Sequence, residues 1–205
     1  MSATQIATVS VSVQIEGLPP GVLFGSKGLM EEEAKPENNS SKKGGSRRTA
    51  VEEAPFRAHW MGARGKSNLC IPSVMLYRSF CQAATDFQQP RNKRKNMSTL
   101  VGATVAFEQD KIDLGTKDYE VFGDPELGEW VRIPPRTGAM VRIGRPIVRK
   151  WSAAFTVLVD DEMWDATMLE EIIKHAGRTV GIGAWRPQLK GPHGRFVVNE
   201  FVVGG

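Results

Sequence analysis

The sequence predicts an α+β protein in which two helices cover one face of an antiparallel sheet, and three observations carry that prediction. Two segments, 69–87 and 167–176, repeat apolar residues at helical spacing. Four others, near 6–15, 99–108, 151–159 and 195–203, have the length and apolar content of strands. Their order is strand, helix, strand, then strand, helix, strand, which is the split arrangement of the ferredoxin-like (RRM-like) fold. With 205 residues and 40% apolar content, the chain has enough material for a single domain, 1–205, with its own core.

Ile6 to Ile15 alternates cleanly, with Val9, Val11, Val13 and Ile15 on one side and Thr8, Ser10, Ser12 and Gln14 on the other. Gly17, Pro19, Pro20 and Gly21 end that strand. Residues 31–48 contain no aromatic or β-branched residue and have too little to bury to offset ordering entropy, which predicts a mobile insertion. Ala54 to Lys66 is aromatic and basic. Its end, Gly65-Lys66-Ser67, looks like that of a phosphate-binding loop, but Trp60 stands where the motif needs its first glycine. Arg57 and His59 do not belong to the apolar strand that must precede such a loop, so no nucleotide hydrolysis is assigned to it.

In the first helix, 69–87, Pro72 suits the first turn, and Leu76, Phe80, Ala83 and Phe87 share one face. Arg78 and Gln82 lie on its exposed side, and the basic run 91–95 after it is a candidate phosphate contact. Thr99 to Glu108 reads as the second strand. Residues 109–149 form an insertion whose acidic first part, to Glu129, reads as loops. Val131 to Val148 then reads as a basic hairpin, because Val131/Ile133 and Val141/Ile143 alternate with Arg132 and Arg142. Trp151 to Val159 is the third strand. The second helix carries a capping box, Thr167 with Glu170, a buried stripe of Leu169, Ile172, Ile173 and Ala176, and a stop at Gly177. Arg195 to Val203 closes the sheet, and the predicted core joins Leu76, Phe80, Phe155, Val157, Leu169, Ile172, Ile173 and Phe196.

Between the second helix and the last strand runs Gly177 to Arg195, with five glycines, the cations Arg178, Arg186, Lys190 and Arg195, and no carboxylate. Such a stretch either turns its amides toward an anion or is a connection whose glycines only close turns, and both readings stand at this stage. The net charge of +4 hides a strong segregation: Val131 to Trp151 holds Arg132, Arg136, Arg142, Arg145, Arg149 and Lys150 without an acid. Two cysteines and three scattered histidines give neither a disulfide framework nor metal-ligand spacing, so a reducing, cytoplasmic setting without metal or cofactor is expected. No apolar run reaches membrane-spanning length, and no membrane partner is expected.

The helix start Ile71-Pro72-Ser73 with Arg78 one turn in, the insertion before it, and the GIG…GxxGRF pattern of Gly181 to Phe196 together resemble the RAMP superfamily. More closely they are similar to the backbone subunits of CRISPR effector complexes, which bind guide RNA along a modified ferredoxin-like palm. Ser73 stands where the family has glycine, and Gly183 to Gly191 is long and carries Trp185. The stretch from Trp151 onwards also resembles phage and prophage proteins of unassigned activity. The resemblance implies a non-enzymatic binder of single-stranded RNA, or DNA, that associates with itself along the strand and with other subunits. The expected contacts are Arg78, Arg132, Arg142, Arg145, Gly181, Gly183, Trp185, Arg186, Lys190, Gly191, Gly194 and Arg195. Trp185, Trp60 and Tyr77 are candidates for base stacking, worth roughly 1 to 3 kcal/mol per base.

Two other functions fit the same residues. A metal-independent RNA endonuclease would use a histidine as general acid or base, with His193 the catalytic candidate and His59 and His175 behind it. A phage structural or interaction protein would use the sheet edge and the basic face for assembly. Independently of function, replacing residues 31–48 by a short Gly-Ser linker should leave the thermal midpoint within a few degrees of the parent, because closure entropy grows slowly with loop length. A large drop in a melting experiment would show that the segment is packed.

Overall fold

The computed structural model describes residues 8–25, 50–90, 92–122, 145–160 and 165–204. In chain order the elements are β1 (Thr8–Gly17), β2 (Val22–Leu23), α1 (Ala50–Arg57), β3 (Cys70–Pro72), α2 (Ser73–Ala83), β4 (Gln88–Gln89), β5 (Asn92–Asn96), α3 (Ser98–Thr104), β6 (Val105–Phe107), β7 (Lys111–Asp113), β8 (Glu120–Phe122), β9 (Arg145–Val148), β10 (Ser152–Asp160), α4 (Ala166–His175) and β11 (Phe196–Val203). The main sheet has the order β11-β1-β10-β6, with every neighbouring pair antiparallel. Numbered as the first to fourth strands of the two strand-helix-strand units, that order is 4-1-3-2, and the fold is α+β and ferredoxin-like.

Register follows from the alternation in β1. It pairs with β10 from Thr8↔Asp160 to Glu16↔Ser152, so Val11 faces Val157 and Val13 faces Phe155 on the side where α2 and α4 lie. Those residues join Leu76, Phe80, Leu169, Ile172, Ile173 and Phe196 in one core, as the two periodicities require. Each of these large side chains contributes about 1.5 to 3 kcal/mol by leaving water. A second sheet, β2-β9-β8, sits at the end of β1 and buries a smaller cluster of Leu23, Phe122 and Ile147. No helix among the described residues is long and apolar enough to cross a membrane.

Four local expectations are corrected. Thr99 to Glu108 is mostly helix: α3 runs to Thr104 and only Val105–Phe107 pairs with β10. Met97 and Val101, one turn apart, are both buried, and Tyr77 Oη donates to Gly102 O at 2.8 Å, so docking on α2 settles a short apolar run that fits either structure. Pro72 precedes α2 instead of opening it, because Ile71 pairs with Ile112 of β7. The acidic section contains two strands, β7 and β8. Finally, Asp165 caps α4, accepting from the Thr167 amide at 2.9 Å, and Gly177 does not end the helical backbone. A wide turn over Ala176–Val180 carries it to Gly181 at φ 69°. Gly177 is needed for another reason: a Cβ there would overlap the carbonyl oxygen of Phe196.

The expectations for residues 31–48 and for the paired strands at 131–143 lie outside the described residues. The described end of that hairpin, β9, pairs with β2 and β8. The cap correction gives a direct check. Asp165→Ala should cost about 1 kcal/mol and lower the melting temperature by a few degrees, while Thr167→Ala should cost a few tenths at most. A larger loss from Thr167→Ala would restore the capping box.

Candidate nucleic-acid interface

The glycine-rich stretch is bound into the protein along most of its length. Its start is held by Ser79 of α2, whose Oγ donates to Gly181 O at 2.9 Å. The amides of Ile182, Ala184, His193 and Gly194 donate to the carbonyls of Gly194, Leu23, Trp185 and Gly21, and those of Leu189, Lys190 and Gly191 close the turn around Pro187. These amides are therefore spent inside the chain and do not form an open cradle. Gly194, at φ 73°, also lies where a Cβ would overlap the carbonyl oxygen of Ile182, and at Gly183, φ 78°, a Cβ would come within 2.6 Å of Leu23 O. Gly191 similarly gives way to the carbonyl of Trp185. Close approach of backbone to backbone accounts for these three glycines.

The aromatic candidates are packed. Trp185 is half-buried against Phe122 and His193, with ring centroids 6.3 Å and 5.4 Å away. Trp60 is buried edge-on to Tyr119, and Tyr77 is half-buried with its hydroxyl committed to Gly102. Arg186 is turned inward as well: its Nη1 donates to Gly183 O at 3.0 Å, its Nε and Nη2 to Gln188 Oε1, and burial lowers it from the usual arginine value. It braces the loop.

The cations that remain outside are different in kind. Arg78 on α2, Arg178 on the wide turn, Lys190 and Arg195 are exposed, and none of them makes an ion pair among the described residues. The segments that bear them pack in series, α2 on the wide turn and the wide turn on the turn at Pro187. Lys93, Arg94 and Lys95 stand fully outside on β5, a basic hairpin strand that belongs with them by its charge. Arg132 and Arg142 lie outside the described residues. By contrast, the open face of the main sheet presents Ser10, Ser12, Gln14, Ala154, Thr156, Glu200 and Val202, without a basic or aromatic side chain. The stacking platform that RRM domains offer single-stranded RNA is missing from it.

Arg145 is the outlier. Expected as a nucleic-acid contact, the residue is only 9% exposed at the head of β9. Its guanidinium lies against Gly25, where a Cβ would overlap Nη1, and beside Ala184 of the loop. Burial lowers its pKa, and the charge of Arg57 on α1 lowers it further. Sequence reasoning passed over Arg57 and Gly25, which are distant from Arg145 along the chain. The one signal was a basic residue, Arg57, standing between the apolar residues Phe56 and Ala58.

The three histidines sit in different settings. His193 is 2% exposed between Phe122 and Trp185, so a 2′-hydroxyl does not reach it. His175 contacts Asp86 at 2.8 Å and the edge of Phe87. His59 is held below its usual pKa by burial, with the Lys111 charge adding to the effect. Cys70, pushed up to about 11 by burial, is a protonated core thiol.

No protein-family model matches the chain, and no curated protein matches it. Among solved structures, the chain is similar to one in the cryo-EM structure of the Type III-B Cmr-beta bound to cognate target RNA, with a TM-score of 0.48 and 10% identity. The match covers 96% of this chain and 60% of that one, so this chain spans less than two thirds of that neighbour's length.

The loop geometry fixes what its glycines do. Gly194→Ala should lower stability by about 1 to 3 kcal/mol through strain at positive φ and displacement of Ile182. Affinity per folded molecule for any ligand on the exposed cations should stay within twofold or so, a margin well under the 1.4 kcal/mol that a tenfold change represents. Parallel melting and binding measurements check this, and a loss of affinity with unchanged stability would return the loop to the status of a direct contact.

Proposed function

We propose that this protein binds single-stranded nucleic acid through its basic side and does not cut it. The observation that supports this most is the set of exposed cations without carboxylate partners, Arg78, Arg178, Lys190 and Arg195, on segments packed in series, with Lys93, Arg94 and Lys95 beside them in charge. Unpaired lysines and arginines in water attract phosphates and release counterions when they meet them, a sequence-independent source of affinity. Single strands suit the protein better than a groove reader, because among the described residues neither a protruding helix nor an aromatic sheet face is available to read base edges. RNA is preferred to DNA on the resemblance of the Ile71-Pro72-Ser73 and Gly181 to Phe196 motifs. The same resemblance supports a subunit that associates along the strand with copies of itself and with other subunits.

The interaction-protein reading has its own support in the open sheet face. Its small uncharged residues, with Glu200 among them, suit a protein neighbour better than a phosphate chain. The two readings are compatible, one for each side of the molecule. The endonuclease reading loses its main residue with the burial of His193.

Binding to a labelled single strand should weaken with salt, with each phosphate contact adding about 0.7 to the slope of log affinity on log salt. Lys190→Gln or Arg195→Gln should therefore lower affinity on all sequences alike and reduce the slope by somewhat under one unit. Incubation with RNA in EDTA should leave the strand intact. Salt-independent binding, or none, would overturn the proposal, and cleavage in EDTA would revive the endonuclease.

A further inference from the structure

β11 is the outermost strand of the main sheet, paired with β1 on one side and with no described residue on the other. It runs from Phe196 to Val203 without a proline, lysine or arginine. Val197, Val202 and Val203 are three of the six large apolar side chains exposed among the described residues. An edge of this kind is a template for a further strand, and proteins usually guard it with lysine, proline or a bulge. Of these guards β11 has only the bulge, where its register against β1 shifts between Gln14 and Ile15. That bulge decides which strand fits.

Gly204 donates to Ser10 O at one end of the strand, and Arg195 O accepts from Leu18 at the other. Backbone groups alternate along an antiparallel strand, so Val202 and Glu200 turn theirs toward β1, as does Val197, while Phe196, Val198, Phe201 and Val203 turn theirs outward. Val198 pairs with Ile15 and Glu200 with Gln14, which leaves Asn199 as the extra residue. A regular strand laid along this edge matches the outward groups on one side of Asn199 and falls out of step on the other. A second β11, running antiparallel, carries the same extra residue at the same place. Phe196 then lies opposite Val203 of the copy and Val198 opposite Phe201, with equal spacing on both strands. Val197 and Val202, which share the open face through their partners Glu16 and Ser12, also come opposite each other. At the centre Asn199 meets Glu200 of the copy, an amide against a carboxylate.

We propose that two copies of this chain pair through β11 about a two-fold axis, joining their four-stranded sheets into one continuous sheet. Such a contact uses the same patch on both subunits and closes at two. It therefore differs from association in series along a nucleic acid, and it needs no nucleic acid to form. One strand pair is a small interface by the standard of stable dimers, so the dimer is weak and forms with rising concentration.

The test is sedimentation velocity of the full chain, freed of nucleic acid by nuclease, over a series of concentrations. The mass should rise from that of one chain to that of two and no further. Val202→Lys sets a lysine against Val197 of the copy and should raise the dissociation constant about tenfold or more. Adding Val197→Glu to the same chain should bring it back to within about threefold of the parent, because each lysine then faces a glutamate across the axis. Within one strand the two positions are roughly 16 Å apart at about 3.3 Å per residue, so rescue requires the copy. Should Val202→Lys lower the melting temperature, Val203→Pro takes its place: it removes an outward amide that β1 does not use and should also weaken the dimer about tenfold. A chain that stays single at every concentration would overturn the inference and leave the nucleic-acid reading standing. A dimer indifferent to these variants, one that the double variant fails to restore, or growth beyond two copies would overturn it as well.

Discussion

The structure depends on a place where three stretches of backbone come closer than side chains permit. Gly194 donates to Gly21 O, Ile182 to Gly194 O and Ala184 to Leu23 O, all at 2.7 to 2.9 Å. These bonds tie the last part of the chain to the turn after β1 and to β2. Ser79 adds α2 through Gly181 O. The junction joins the ferredoxin-like sheet to the small sheet of β2, β9 and β8, and it sets Ala184 beside Arg145 and Trp185 against Phe122. A Cβ at Gly181, Gly183 or Gly194 would push these stretches apart, so the glycines serve the junction first. Whatever the basic side binds, it is presented by a loop that is already rigid, and a rigid loop loses little conformational entropy when a ligand arrives.

Charge is distributed in three tiers with different physical roles. On the open sheet face there is little of it, and Glu16 is engaged with Asn199 at the bulge between β1 and β11. Around α2 and the turns before β11, Arg78, Arg178, Lys190 and Arg195 are exposed and make no ion pair among the described residues. Their attraction for an anion is screened by salt and insensitive to fine position, which suits a polyanion of variable sequence. Arg145 is shielded from solvent, where the same charge acts at lower dielectric and with a fixed direction.

How much of this was legible in the sequence varies with the range of the forces involved. The four long elements β1, β10, α2 and α4 carry their own periodicity, and with β11 they were enough to give the fold class and the core. The three-residue strands β6, β7 and β8 owe their form to partners, as Ile112 does to Ile71 and Phe122 to Arg145, and nothing within three residues reveals such a partner. Asp165 and Thr167 are equally good cap residues two positions apart, and only the geometry of the Thr167 amide selects between them. In the candidate site, the cations at Lys190 and Arg195 were readable because exposure is the default for such residues. The burial of Arg145 was not, because it is made by Gly25 and Ala184, which reach it from opposite ends of the chain. The packing of Trp185 and His193 was hidden for a related reason: a glycine-rich context suggests openness, whereas here it permits close contact.

An exposed cation costs the free protein almost nothing, but a buried one without partners is a defect that the rest of the fold has to offset. The outer cations carry no such defect, so the fold does not depend on them, whereas the guanidinium of Arg145 is tied to the packing of β9 against Gly25 and the loop and cannot be exchanged without disturbing both.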